Sequence, residues 1–221
     1  MKRTAPALLL LGALLLPCPG RAAAPEDPAC RKEVARLLAR LEEGAGVRAR
    51  FRHLLRSPAL DQTEVEEGIL VVAPGGRTRW EYSRPAGKLA VADGRTSVLY
   101  LPAERQAFVQ RMDGAGLPLA LRLLSGQRRL LEEVACLGAE TVGSLRVYRL
   151  ELLHGEGGIQ DVEAAADGET GQLRRIFFRD ALGNEISLEL SEVEVLSKVD
   201  PALFRFTPPP DTTVFEGPGG P

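Results

Sequence analysis

The sequence predicts a mainly β (α+β) fold, built as an antiparallel meander that closes into a barrel or half-barrel. Apolar and polar residues alternate from Val47 to Arg111 and again from Ser144 to Val195, which is the period of strands with one buried face. The 23 glycines and 16 prolines indicate many short elements joined by turns. A helical period precedes Val47, so an N-terminal helix accompanies the sheet.

The predicted N-terminal helix begins after Asp27, an N-cap residue that is followed by Pro28 at the first helical position. Gly44 and Gly46 end it after about 16 residues. Its apolar residues follow the spacing i, i+3, i+4 and i+7 and are Val34, Leu37, Leu38 and Leu41. A single apolar stripe of this kind indicates a helix that packs on the sheet.

The strand signals fall into two groups separated by a leucine-rich segment. The first group, before residue 112, is divided by Pro74, by the Asp93-Gly94 turn and by Pro102. The second group covers 144–153, 159–166, 173–179 and 184–195, with hairpin turns at 167–171 and 181–184. Asp200-Pro201 then predicts a last helical turn.

The leucine-rich segment, residues 117–131, contains seven leucines. Ser125-Gly126 interrupts it, and glycine weakens helical continuity, so one or two short apolar helices are predicted here.

Residues 1–24 have the three parts of a secretory signal peptide: a basic start, an apolar run from Ala7 to Leu16, and small residues before Pro25. The apolar run is shorter than the about 20 residues of a membrane-spanning helix. The expected organisation is therefore a cleaved leader, a single domain over 25–216, and a disordered tail over 217–221.

Cleavage of the leader leaves two cysteines, Cys30 and Cys136. In an oxidising compartment they are candidates for a disulfide that closes a long loop. Two buried free thiols are the alternative, because pairing depends on whether the two Cβ atoms meet.

Charge and residue types exclude several functions. The 28 basic and 30 acidic residues give a net charge of −2, and loss of Lys2, Arg3 and Arg21 with the leader makes the chain more acidic, so no nucleic-acid partner is expected. The two histidines, His53 and His154, lie on separate elements without a metal motif or a nucleophile. We therefore expect no enzyme activity, no metal and no cofactor.

His53 and three glutamates of the first strand group are assigned structural rather than catalytic roles. His53 continues a strand and is expected to make a local hydrogen bond. Glu64, Glu66 and Glu67 are interpreted as a solvated strand face. An apolar sheet face with two helical segments is compatible with a filled core or with a space for an apolar ligand.

Several motifs follow one another in a characteristic order. They are a Gly-strand-Pro segment (68–74), Trp-x-Tyr-x-x-Pro (80–85), Val-x-Asp-Gly (91–94), Leu-Tyr with a later Gln (99–106), Asp-x-x-Gly-Asn (180–184) and Phe-x-Phe-x-Pro-Pro (204–209). In order and spacing this set resembles the LolA family of outer-membrane lipoprotein carriers, within the LolA/LolB-like superfamily, over nearly the whole mature chain.

The resemblance implies an unclosed half-barrel with a helical lid over an apolar cavity. It implies a monomeric periplasmic carrier in a diderm bacterium, with acylated lipoproteins as cargo, an inner-membrane lipoprotein-releasing ABC transporter as donor and an outer-membrane acceptor. The expected acyl-chain lining is Val47, Phe51, Leu70, Trp80, Tyr82, Val91, Leu99 and Phe108. The expected lid is the leucine-rich segment, which should cover the cavity and open at times, with the residues Leu117, Leu119, Leu121 and Leu124.

Two positions depart from the family pattern. The family usually has a basic residue, which latches the lid, before the strand-ending proline, and this chain has Ala73. Arg77 and Arg79 are the candidates to replace it. A second family tryptophan is missing near Leu99.

Two other functions compete with that of a carrier. An RseB-type lipid-sensing regulator shares the fold and is the alternative function, although it normally has a second domain. A hydrolase is disfavoured because the sequence offers no nucleophile–base pair.

Overall fold

The computed structural model describes residues 25–112, 119–154 and 158–217. Its main element is one sheet of twelve strands in the order β12-β6-β5-β4-β3-β2-β1-β11-β10-β9-β8-β7. The strands are β1 Gly46–Ser57, β2 Gln62–Ala73, β3 Arg77–Arg84, β4 Leu89–Asp93, β5 Thr96–Leu101, β6 Gln106–Arg111, β7 Val134–Val142, β8 Leu145–Leu152, β9 Ile159–Asp167, β10 Leu173–Asp180, β11 Glu185–Leu196 and β12 Thr213–Glu216. The order is linear and ends at β12 and β7, so the sheet is an unclosed half-barrel, the one of the two predicted architectures that the family resemblance implies.

Alternation along β1 shows how the sheet divides its residues between two faces. Val47, Ala49 and Phe51 are buried on the concave face. On the convex face, Arg50 pairs with Glu192 at 2.8 Å and Arg52 pairs with Glu189 at 3.2 Å. The period-two pattern that predicts strands therefore also predicts correctly which side of β1 faces the core.

The N-terminal helix α1, Pro28–Glu42, packs in the concavity. The Asp27 carboxylate caps it by accepting hydrogen bonds from the backbone N–H groups of Ala29 and Cys30 at 2.9 and 3.3 Å. Its buried residues, Cys30, Val34, Leu37, Leu38 and Leu41, belong to the main core cluster. The cap, the boundaries and the buried stripe of the predicted helix are confirmed.

The structure joins Cys30 of α1 to Cys136 of β7 in a disulfide, with 5.8 Å between the two Cα atoms. Of the two alternatives that the sequence leaves open, the structure has the bonded one. In the chain-entropy model a bridge across 106 residues stabilises a fold by about 4–5 kcal/mol.

The leucine-rich segment forms a short helix, α2 (Leu119–Leu124), and a 3-10 helix, Arg128–Glu132. Leu123, Leu124 and Leu130 are completely buried in the main core cluster. Gly126 between the two helices has φ of +66°, and a Cβ atom there would lie 2.6 Å from the carbonyl oxygen of Leu38. The segment therefore lies directly against the C-terminal turn of α1.

The chain after β11 crosses the convex face. The predicted turn at Asp200 is a 3-10 helix, Pro201–Phe204, and Phe204 is buried against Val71 and Ala73. The Phe206 ring lies 5.3 Å from the Tyr100 ring. This crossing brings the C-terminus to β6, where β12 pairs in parallel.

The sequence patterns do not predict two of the strands. Strand β7 has no regular alternation of apolar and polar residues, and its register with β8 shifts between Cys136 and Gly138. Strand β12 is four residues long and follows a run of three prolines. Gly217, expected to start a disordered tail, donates its N–H to the Val109 carbonyl at 2.9 Å.

Among the described residues, the structure contains no helix that is both long enough and apolar enough to span a membrane. The proposed leader, residues 1–24, lies outside the described part of the chain, as do residues 218–221.

Candidate functional site on the concave face

One row of directly paired residues crosses the concave face from β2 to the edge of the sheet. Paired residues on neighbouring strands share a face, so their side chains form a continuous surface. The row, called here the apolar row, consists of Leu70, Trp80, Ala90, Leu99, Phe108 and Phe215 on six consecutive strands.

Exposure increases along the apolar row toward the sheet edge. Leu70 is fully buried, Trp80 and Leu99 are partly exposed, and Phe108 and Phe215 are 41% and 43% exposed. The rings of Phe108 and Phe215 are stacked, with centroids 5.1 Å apart and 16° between their planes. Large apolar side chains in a contiguous exposed set mark a binding surface more often than scattered ones do.

Phe51 joins the buried part of the concave face to the apolar row. Its ring makes edge-to-face contacts with Trp80 at 4.9 Å and with Tyr82 at 5.1 Å between centroids. Phe51 itself is only 3% exposed. It belongs to the core, while Trp80 and Tyr82 pack against that core from the exposed side.

A group of polar residues, called here the polar cluster, borders the apolar row and consists of His53, Glu66, Tyr82 and Lys88. The Glu66 carboxylate accepts a hydrogen bond from the Lys88 ammonium at 2.5 Å and lies 3.4 Å from Nδ1 of His53. The ammonium also lies 4.4 Å from the centre of the Tyr82 ring. His53 and Glu66 face the concavity because they pair with each other and His53 pairs with buried Leu188.

Burial shifts two pKa values in the polar cluster. Desolvation lowers the pKa of His53 below its usual 6.5, and the neighbouring Glu66 carboxylate only partly opposes this. Desolvation, with a smaller contribution from Glu66, raises the pKa of Tyr82 to about 12. At neutral pH the cluster therefore contains a neutral imidazole, a neutral phenol and one ion pair.

The structure brings most of the expected lining residues to one face. Val47, Phe51 and Leu70 lie there in the core, and Trp80, Tyr82, Leu99 and Phe108 lie on its exposed part. Whether they contact an acyl chain stays a prediction.

The assignment of Val91 to this face is wrong. Val91 pairs with Arg79, and its side chain therefore points to the convex side, where the Pro201–Phe204 helix packs on β3 and β4. The apolar pattern is misleading here because β4 is buried on both of its faces.

The expected lid is only partly within the described structure. Leu117 lies outside the described residues, and for Leu119 and Leu121 only the backbone, in α2, is described. Leu124 is completely buried in the core cluster. Opening of this segment stays a prediction.

The replacement of the lid latch by Arg77 or Arg79 is wrong. Both side chains point to the convex face: Arg77 lies 5.4 Å from the Phe204 ring, and Arg79 donates to the Leu203 carbonyl at 3.1 Å. They hold the C-terminal crossing and cannot reach the leucine-rich segment on the other side of the sheet.

Other contacts hold the leucine-rich segment to α1. Arg31 donates to the Leu131 carbonyl at 2.7 Å, and Arg128 pairs with Glu42 at 2.8 Å. These contacts connect the segment to both ends of the helix. The sequence gives no sign of them, because the partners lie about a hundred residues apart.

Sequence reasoning also misses three residues of the site. The interpretation of Glu66 as solvated rests on its charged neighbours, whereas its register opposite His53 turns it into the concavity. Lys88 and Phe215 carry no local motif. Within residues 25–112, 119–154 and 158–217, no three His, Cys, Asp or Glu side chains are placed to hold a metal ion.

An unclosed antiparallel half-barrel with a helix packed in its concavity and an apolar row reaching its edge defines the LolA-like class of fold. The chain belongs to the LolA family: the family described as "Outer membrane lipoprotein carrier protein LolA" matches residues 43–207.

Individual relatives agree with this assignment. An outer-membrane lipoprotein carrier protein of Nitrosomonas europaea is 25% identical over 202 residues, covering 91% of this chain and 93% of the relative. The corresponding protein of Halorhodospira halophila is 31% identical over 153 residues, covering 69% and 71%. A crystal structure of an uncharacterized conserved protein from Thermus thermophilus has a TM-score of 0.54 at 15% identity, covering 84% of this chain and 98% of that one, and shows the same fold.

Proposed function

We propose that this chain is a non-enzymatic periplasmic carrier that holds the acyl chains of lipoproteins on the open part of its concave face. It would receive them from an inner-membrane lipoprotein-releasing ABC transporter and deliver them to an outer-membrane acceptor. The observation that carries the proposal is the apolar row, whose side chains become more exposed toward the sheet edge. Membership of the LolA family supports the choice of ligand.

The energetics of an acyl chain require such a surface. Each methylene group gains about 0.8 kcal/mol in a membrane, so a chain of sixteen carbons is held by roughly 12 kcal/mol. A carrier in water must offset most of this with apolar contact. The row supplies this contact on a rigid support, because its inner end, Leu70, and the adjoining Phe51 are packed in the core.

The leucine-rich segment would cover the bound chains. Leu123 and Leu124 already pack in the concavity beside α1. A cover that exchanges its own leucine contacts for ligand contacts releases cargo at low cost, because both states bury similar apolar surface. We expect amide hydrogen exchange over 119–131 to be slowed by a bound lipopeptide.

The direct test is native mass spectrometry of the protein purified from the periplasm of its own host. The proposal predicts an adduct with the mass of an acylated peptide. A stable complex with another protein and no acylated adduct would instead support a lipid-sensing regulator. Release of a cleaved ester would contradict the non-enzymatic assignment.

A binding assay localises the ligand. Trp80 is the only tryptophan, so its emission reports on the apolar row and should shift to the blue when an acyl chain displaces water beside it. Phe108→Ala should weaken binding of a synthetic diacylated lipopeptide by about tenfold, a loss of about 1.4 kcal/mol. Leu182→Ala removes an 80% exposed leucine at a hairpin turn away from the row and is the matched control. Equal effects of both variants would contradict binding at the row.

A further inference from the structure

The polar cluster lies immediately beside the apolar row on the same face. Tyr82 is two residues from Trp80 on β3, and successive concave-facing residues of a strand lie about 7 Å apart. The Phe51 ring contacts both of them, at 4.9 and 5.1 Å. A ligand with an apolar chain on the row therefore has its polar end within reach of Tyr82 and Lys88.

The cluster is partly withdrawn from water. The side chains of Glu66, Lys88 and His53 are 16%, 19% and 25% exposed. Opposite charges at 2.5 Å in such a setting interact more strongly than at the surface. Glu66 therefore neutralises Lys88, and the cluster has no net charge while His53 is neutral.

We propose that His53, Glu66, Tyr82 and Lys88 form a headgroup subsite that accepts the uncharged ester or amide linkage of an acylated ligand and disfavours an anionic head. This inference rests on the proposed function, since it assigns the polar end of the same ligand. Lys88 and the Tyr82 hydroxyl are the donors for the linkage oxygens. Glu66 is the selective element.

The selectivity follows from the position of the Glu66 carboxylate. An ammonium has three donors, so Lys88 can hold Glu66 and a ligand carbonyl oxygen together. A sulfate or carboxylate at the same place is attracted by Lys88 and repelled by Glu66 a few ångströms away, so the ion pair gives little net attraction to offset the cost of desolvating the anion. An uncharged head avoids this desolvation cost and keeps the hydrogen bonds.

The test compares two amphiphiles with the same twelve-carbon chain, glycerol monolaurate and dodecyl sulfate, below their micellar concentrations at pH 8, where His53 is neutral. Binding is measured by Trp80 emission. The parent protein should prefer glycerol monolaurate. Glu66→Gln should shift the preference toward dodecyl sulfate, raising the ratio of its affinity to that of glycerol monolaurate by about five- to tenfold.

Glu64→Gln is the matched control. It removes the same charge from the same strand, but Glu64 is exposed and pairs with Leu55 rather than with His53. If it tightens dodecyl sulfate binding as much as Glu66→Gln does, the effect is one of overall charge and the subsite is wrong.

A second variant, Lys88→Gln, tests the subsite independently in case Glu66→Gln does not fold. Lys88→Gln should weaken glycerol monolaurate binding about threefold or more, because it removes the principal donor, while the emission still shifts on binding. Unchanged affinity of this variant for both amphiphiles overturns the subsite. If neither amphiphile shifts the Trp80 emission of the parent, the proposed carrier function is wrong. If both amphiphiles shift it equally and the variants behave as the parent, only the headgroup subsite is wrong.

Discussion

The two halves of the concave face have the same strand pattern and different surroundings. In the covered half, β7 to β11 with β1, the paired residues Tyr148, Ala164, Ile176 and Leu188 are all buried under α1 and its neighbours. In the open half, β3 to β6 with β12, the apolar row becomes exposed toward the edge. Strand alternation therefore predicts a face, and the packing of a helix decides whether that face is core or binding surface.

The covered half is also the half to which α1 is fastened. The disulfide links it to β7, and Arg146 of β8 donates two hydrogen bonds to Glu33 at 2.8 and 3.1 Å. Arg40 donates to the Thr170 carbonyl beyond β9. The described contacts thus place the helix over one side of the sheet, which leaves the other side available.

The largest expected difference between the halves comes from two phenylalanines on the same face. Phe51→Ala opens a cavity in the core and should cost about 3–5 kcal/mol of unfolding free energy. Phe108→Ala truncates a side chain that is 41% exposed and should cost less than about 1 kcal/mol. Urea denaturation measures both. Comparable losses would show that the open half is core as well.

The disulfide should contribute almost as much to the free energy of unfolding as the Phe51 side chain does, and it acts in the covered half. Replacement of Cys30 and Cys136 together by Ala should lower the free energy of unfolding by about 2–5 kcal/mol. Mass analysis after alkylation without reductant should find no free thiol in the parent protein. Two labelled cysteines in protein isolated from its own host would contradict the bridge.

The contact of the leucine-rich segment with α1 should have a smaller effect. Gly126→Ala and Gly143→Ala both place a side chain at positive φ, but the new Cβ meets backbone atoms of α1 only at position 126. The first variant should therefore lose about 1–3 kcal/mol more than the second.

Hydrogen exchange localises this effect, with faster exchange over 119–131 expected in Gly126→Ala alone. If Gly143→Ala accelerates exchange there to the same degree, the close approach to α1 does not hold the segment.

The smallest expected effect is the pH dependence contributed by His53, at the border of the two halves. Burial lowers its pKa in the folded protein, so the unfolded chain takes up a proton first as the pH falls below about 6.5. Its contribution is constant above that pH and becomes destabilising below it. His53→Gln should lose less stability between pH 7 and pH 5 than the parent, as thermal unfolding would show. Identical profiles would place His53 in a more hydrated site.

The parts of the fold that the sequence predicts are those with a local signal. Helix α1 has a cap and an apolar stripe, and β1 has a charged face opposite an apolar one. Strand β12 has no such signal, because it is held by parallel pairing with β6, more than a hundred residues earlier. Its position depends on the whole course of the chain across the convex face.

The same distinction applies to the site. The sequence places Trp80 and Tyr82 correctly because Arg79 and Glu81 must face water. It does not place Glu66, because the surroundings of that residue depend on registers with β1 and on the turn that carries Lys88. The assignment of Val91 to the concave face is wrong for a related reason, because a strand buried on both faces has no polar side that shows its orientation.

The linear strand order has a mechanical consequence. A closed barrel has a circumference set by strand number and shear, so it widens only by breaking backbone hydrogen bonds. This sheet is a strip whose ends, β12 and β7, are not joined. It can flatten or curl while every ladder stays intact, at the expense of side-chain contacts alone. The proposed carrier function could therefore accommodate acyl groups of different size through a change in the curvature of the sheet.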